Sequence, residues 1–242
     1  MSADTPFTKE NLDTYLKELG KEFRKLNGTK VPAEIVLIGG AAILANYSFR
    51  EMTYDIDAVI LASSVMKEAV NHVGDRLGLP NGWLNMDFKN TSSYTPKLLE
   101  VSVYYRTFSN VLIVRTVDAE YLIAMKLISG RQYKNDLSDI VGILWEHQKN
   151  GKPISREVID KAAAVLYGEN AEIPAASLKT LDDIFAKGDF EKIYKEARQT
   201  EIESRKAIVD FDTTRPGELK GENINAVIER ARQKRKKDDR ER

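Results

Sequence analysis

The 242-residue sequence contains no cysteine and only two histidines, His72 and His147. A disulfide scaffold and thiolate metal sites are thereby excluded, and a histidine-based metal centre has little to build on. Both histidines read as ordinary helix residues. No run reaches the roughly 20 apolar residues of a membrane helix, and the opening MSADTPFTKE has no basic-then-apolar signal pattern. A cytoplasmic location away from membranes is therefore expected, in agreement with the reducing compartment that the missing cysteines suit. Net charge is absent too, since 37 basic residues meet 37 acidic ones. With 42% of residues apolar and 31% charged, the composition is that of a globular protein, long enough for one or two domains with a proper core.

The informative stretch runs from Glu34 to Leu61. Ile35, Val36, Leu37 and Ile38 form a short β-rich apolar run. Gly39 and Gly40 end it just before a helix-favouring segment, Ala41 to Ala45. Exposed backbone N–H groups at a helix N-terminus, approachable because glycine has no side chain, make an anion site that suits a phosphate. A second apolar run, Ile56 to Leu61, carries Asp55 and Asp57 at its leading edge. Strand residues two apart lie on one face, so the two carboxylates point the same way while Ile56 points into the core. Paired carboxylates repel each other unless a cation neutralises them, and with few soft ligands nearby they suit a hard divalent ion such as Mg2+.

Apolar strand, Gly39-Gly40, helix, then Arg50-x-x-Thr53-x-Asp55-Ile56-Asp57 resembles the signature of the nucleotidyltransferase (polymerase β-like) superfamily, especially its prokaryotic abortive-infection and toxin branch. Many superfamily members have Ser where this chain has Gly40. The resemblance covers about the first 150 residues. It implies an α+β fold: a small mixed sheet flanked by helices, followed by a helical C-terminal region. The expected division is residues 1–150 for the nucleotidyltransferase domain, 151–209 for the helical region, and 210–242 for a polar, basic tail, helical or partly disordered.

Along the chain, apolar positions from Leu12 to Leu26 repeat near 3.6 residues, which predicts an amphipathic helix capped by Thr8. A second helix is expected from Ser63 or Ser64 to Leu77. Short strands are expected at Trp83–Phe88, Lys97–Tyr105 and Val111–Val117. The superfamily often uses a third metal carboxylate, and Glu100, on the polar face that Leu98, Glu100 and Ser102 would form, is the best candidate. Asp87 competes with it, and either acid also reads as a surface residue of an edge strand. Asp118 caps a helix over Ala119–Ser129, within which Lys126 is the one cation among apolar neighbours. It must snorkel to water or meet an anion. Related toxins have a lysine here, thought to contact the nucleotide's phosphates. The matching pattern runs from Glu120 through Lys126 to Arg131, then Asp136-x-x-Asp139. Asp136 and Asp139 also read as the start of a helix. The resemblance suggests that Asp139 faces the site and pairs with Arg131 or Lys126.

From Pro153 onward the sequence reads as helices, followed by a basic cluster at Arg230–Lys237. The cluster reads as a solvated tail or as a contact for RNA or an acidic partner. What the resemblance implies is transfer of a nucleotidyl group from a nucleoside triphosphate to a hydroxyl on tRNA or a protein, with release of pyrophosphate. Asp55 and Asp57 would hold Mg2+ or Mn2+, Gly39 and Gly40 the β- and γ-phosphates, and Lys126 would add a cation. Arg50 and Thr53 would support the aspartate turn, or Arg50 would touch phosphate. A toxin role with a cognate antitoxin fits that branch. The alternatives are a small-molecule, aminoglycoside-like nucleotidyltransferase and a non-catalytic nucleotide or partner-binding module.

Overall fold

A computed structural model describes residues 6–130, 136–169, 171–220 and 223–238. Strand β1 (Phe7–Thr8) leads into helix α1 (Lys9–Asn27), which buries Leu12, Leu16, Leu19 and Phe23 and stops at Gly28. Strand β2 (Ala33–Leu37) follows, then helix α2 (Gly39–Asn46), whose alanine and leucine-rich body is buried. Strand β3 (Met52–Thr53) pairs antiparallel with β1, Phe7 opposite Thr53, and ties the chain start to the segment just ahead of the two aspartates. Strand β4 (Ile56–Leu61) and helix α3 (Val65–Leu77) come next, the helix ending on a left-handed Gly78.

Three further strands complete the main sheet: β5 (Leu84–Asn85), β6 (Ser102–Phe108) and β7 (Leu112–Val117). Its order is β5-β4-β2-β7-β6. Strands β2 and β4 are antiparallel, with Leu37 opposite Ala58. Strands β2 and β7 are parallel, and β6 and β7 form a hairpin. Both hairpin turn residues, Ser109 and Asn110, have positive φ, as the tight turn that matches strand twist requires. This register puts the last residue of β2 and the first of β4 at one end of the sheet.

Two expected strands are mostly not strands. After β5 the Asn85 side chain accepts from the Asp87 backbone N–H at 2.9 Å, and the chain turns into a 3-10 helix at Asp87–Asn90. Pro96 opens another 3-10 helix at Pro96–Leu99, where Thr95 caps Lys97. Glu100 therefore lies in an exposed turn before β6 rather than on a strand face. Within β6 the facing is also the reverse of expectation, since Ser102 is buried and Val103 is 36% exposed.

Helices make up the rest: α4 (Ala119–Ser129), α5 (Asp136–Lys149), α6 (Arg156–Tyr167), α7 (Ala175–Lys187), α8 (Phe190–Thr214) and α9 (Ile224–Asp238). The fold is α+β with a helical C-terminal region, as the sequence leads one to expect. Helix α8 packs along α5, where Trp145 and Tyr194 stack with ring centroids 5.3 Å apart. Among the described residues, no helix is long and apolar enough to cross a membrane.

Candidate functional site

The site is built where β2 gives way to α2. Ile38 occupies the N-cap position and offers no side-chain acceptor, so the first-turn N–H groups of α2 have no cap from their own sequence. Gly39 has φ +56°, which an L side chain rarely adopts, and the Ile38 N–H donates to the Asp57 carbonyl at 3.1 Å. The glycine turn is thereby tied to the first residues of β4.

Three side chains converge on the glycines. A Cβ on Gly39 would stand 3.8 Å from Asp57 Oδ2, so this carboxylate lies directly beside the turn. A Cβ on Gly40 would stand 2.7 Å from Thr53 Oγ1 and 2.9 Å from Arg50 Nη2, so these two groups fill the space in which a side chain would sit. Thr53 is buried and its hydroxyl donates to Asp55 Oδ1 at 3.4 Å. Asp55 itself is exposed and precedes β4, and Asp57 is half-buried within it.

Arg50 is held from two sides. Its Nε donates to the Met52 carbonyl at 3.1 Å, and its Nη1 lies 2.6 Å from both oxygens of Asp139. Lys126 reaches the same carboxylate, with Nζ 2.7 Å from Asp139 Oδ2, and lies 2.8 Å from Asp136 Oδ1. The lysine thus meets anions rather than water. Burial by itself would lower the Lys126 ammonium pKa, but the charges of Asp139 and Asp136 outweigh it and raise the value above that of an ordinary lysine. For Asp139 burial would raise the pKa, and Lys126 and Arg50 override it and hold the carboxyl below the usual range. The expected pairing of Lys126 with Asp139 is present. Arg131, its expected alternative partner, lies outside the described residues.

Glu100 is not brought to the pair. It sits ahead of β6, three strand positions from β4, which at about 4.8 Å per strand is roughly 14 Å. The residue beside Asp57 is Asn85, its register partner on β5. Nothing in the sequence marks Asn85, because the pairing of a two-residue strand is a tertiary outcome. Helix α8 is the other unanticipated contributor. The Tyr194 hydroxyl donates to the Phe49 carbonyl at 2.8 Å, Glu201 accepts from both the backbone N–H and the hydroxyl of Ser138, and Arg205 stacks 4.6 Å from the Tyr54 ring centroid. Each contact falls on a neighbour of a site residue: Phe49 before Arg50, Ser138 before Asp139, Tyr54 before Asp55.

Among the described residues, no group of three or more His, Asp or Glu side chains is placed to hold a metal ion by itself. The donor set at Asp55 and Asp57 is two carboxylates near the N-terminus of α2, whose N-cap Ile38 supplies no side-chain acceptor. That fits Mg2+, which binds through one or two carboxylates and fills its remaining positions with water and substrate phosphate oxygens.

No curated protein matches this sequence. Among solved structures, the chain is similar to the crystal structure of an antigenic nucleotidyltransferase-like protein from Paracoccidioides brasiliensis, at 15% identity and a TM-score of 0.44, covering 79% of this chain and 95% of that one. Residues 14–171, more than half of the chain, match the model of a family described as nucleotidyltransferase of unknown function (DUF6036), and the chain belongs to that family.

Proposed function

We propose that the chain transfers a nucleotidyl group from a nucleoside triphosphate to a hydroxyl on tRNA or a protein, in the manner of a toxin held in check by a partner. The observation that carries this reading is the convergence of Asp57, Thr53 and Arg50 on Gly39 and Gly40 at the N-terminus of α2. An anion cradle and a carboxylate pair then share one wall. The first-turn N–H groups of α2 and the Arg50 guanidinium bind phosphate oxygens, and Thr53 fixes Asp55. Asp55 and Asp57 would hold Mg2+ or Mn2+, which when bound neutralises the triphosphate, lowers the pKa of the attacking hydroxyl and stabilises the leaving oxygen. The acceptor oxygen bonds to the α-phosphorus as the bridge to the β-phosphate breaks. Pyrophosphate departs, and the hydroxyl proton passes to bulk water. Little of this is covalent chemistry by the protein, whose work is positioning and charge.

The test incubates wild type, Asp55→Asn and Asp57→Asn with α-labelled triphosphates, total RNA and total protein, and follows label transfer and pyrophosphate release. Either variant should abolish transfer while its melting temperature holds or rises, because the change removes like-charge repulsion along with a metal ligand. Unchanged turnover in either variant at saturating Mg2+ refutes the metal-site reading.

A further inference from the structure

Thr53 is only 3% exposed, on a two-residue strand where it pairs with Phe7. A buried β-branched side chain is stiff about its first torsion, so the hydroxyl is held in one place. That place is the start of α2. Thr53 Oγ1 lies 2.7 Å from the point a Cβ on Gly40 would occupy, and Arg50 Nη2 lies 2.9 Å from the same point. Arg50 Nε and Nη1 donate to Met52 and Asp139, and among the described residues no hydrogen bond joins Arg50 to Thr53. A hydroxyl and a guanidinium therefore flank one point at a helix N-terminus without satisfying each other, and an anion there would take both. The Thr53 proton meanwhile rests on Asp55 Oδ1 at 3.4 Å. An O–H donor ordinarily stands about 2.7–2.8 Å from its acceptor, so this bond is weak and its proton is easily redirected.

Resting on the phosphate cradle proposed above, we infer that the Thr53 hydroxyl is itself a phosphate ligand, which turns from Asp55 to donate to an oxygen of the triphosphate. It reaches the cradle from β3, through the space that the missing side chain of Gly40 leaves. Strand and helix are complementary here, because a side chain at position 40 and the hydroxyl at position 53 compete for one space. The redirected proton also frees a lone pair on Asp55 Oδ1 for the divalent ion that the carboxylates would hold. One hydroxyl thus couples recognition of the triphosphate to the readiness of the carboxylate. A threonine that only fixed Asp55 would have no effect once the Asp55 charge was gone.

The experiment measures calorimetric binding of non-hydrolysable analogues of the four nucleoside triphosphates with Mg2+, and of the corresponding nucleosides. The proteins are the full chain and its variants Thr53→Val, Thr53→Ser, Thr53→Ala, Asp55→Asn and Asp55→Asn/Thr53→Val, with melting temperatures taken in parallel. Valine keeps the shape of threonine without its hydroxyl, and loss of a hydrogen bond to a charged group predicts about tenfold weaker triphosphate binding. Nucleoside binding stays unchanged, a split that a general packing defect would not produce. Thr53→Ser keeps the hydroxyl and stays within about threefold of wild type. In the Asp55→Asn background the valine still weakens triphosphate binding by more than about threefold, because the contact it removes is to the phosphate. A valine penalty that vanishes in that background overturns the inference and leaves Thr53 as a support for Asp55 alone. If Thr53→Val fails to fold, Thr53→Ser against Thr53→Ala makes the same comparison, and equal affinities overturn the inference. A wild type that binds no triphosphate refutes the phosphate cradle and the inference with it. A wild type that binds, beside a Thr53→Val that binds as well, refutes the inference and leaves the cradle standing.

Discussion

Gly40 illustrates how one absent methyl group organises a site. Its φ is not in the left-handed region, so the backbone would accept alanine, and in a helix alanine is favoured over glycine by about 1 kcal/mol. The neighbours would not accept it. A Cβ would come within 2.7 Å of the Thr53 hydroxyl, which is buried and held on a paired strand. Arg50 Nη2, at 2.9 Å, is the far end of a flexible side chain and is the group that yields. Overpacking typically costs about 1–3 kcal/mol, so the two effects on stability nearly cancel or favour glycine slightly. Function does not cancel, because the displaced group is the one proposed above to take the phosphate. Gly40→Ala should melt within a few degrees of wild type yet raise the KM for triphosphate about tenfold, as expected when a charge-assisted hydrogen bond is lost. Steady-state kinetics beside a thermal melt settle the matter, and an unchanged KM would show that Arg50 moves without consequence.

Helix α5 carries the same competition to a longer range. Gly142 lies mid-helix, and propensity alone makes alanine the better residue there. A Cβ at that position would stand 2.5 to 2.8 Å from three ring atoms of Phe49, which is itself edge-on to Tyr194 and adjacent to Arg50. Ring and helix cannot both stay in place. Gly142→Ala should therefore destabilise by about 1–3 kcal/mol despite the propensity gain, and it should weaken triphosphate binding because Phe49 carries Arg50 with it. A melting temperature at or above that of wild type would refute this. Such a dependence is not written in any local pattern, and the contrast with what is legible is instructive. Strand β4 and helix α4 fall at the expected residues because each is an apolar run bounded by strong punctuation: Asp55 before the strand, Asp118 and Gly130 around the helix. That Lys126 would snorkel or meet an anion was legible from its apolar neighbours, and its pairing with Asp139 was one of the two that the family resemblance implied. Glu100 and Asn85 were not legible. Alternation of polar and apolar residues at Leu98–Val103 imitates a strand, while Pro96 and Thr95 turn the start of it into a 3-10 helix. Asn85 gains its place beside Asp57 only through a register that no residue near it announces.

Across the whole molecule, the C-terminal helices divide by what they touch. Tyr194, Glu201 and Arg205 brace Phe49, Ser138 and Tyr54, and all three precede Asp210. Burial raises the Glu201 carboxyl pKa, with the hydrogen bonds from Ser138 opposing, so this brace is a buried polar contact that only a packed α8 can maintain. Beyond Asp210 the chain contributes the last turn of α8 and then α9, which buries Val227 and Ile228. Two truncations separate these roles. A chain ending at Asp210 loses two buried aliphatic side chains, each worth about 1.5–3 kcal/mol when fully buried, and should melt earlier while binding triphosphate as wild type does. A chain ending at Lys187 also loses the stacking of Tyr194 on Trp145, the capping of Ser138 and the hydrogen bond to Phe49. It exposes the aromatic face that carries the Arg50 segment, and it should lose triphosphate binding together with cooperative unfolding. Calorimetric titration and thermal melts of both truncations test the division. Loss of binding in the chain ending at Asp210 would move the boundary of the working unit past α8, into the helix that carries the basic cluster.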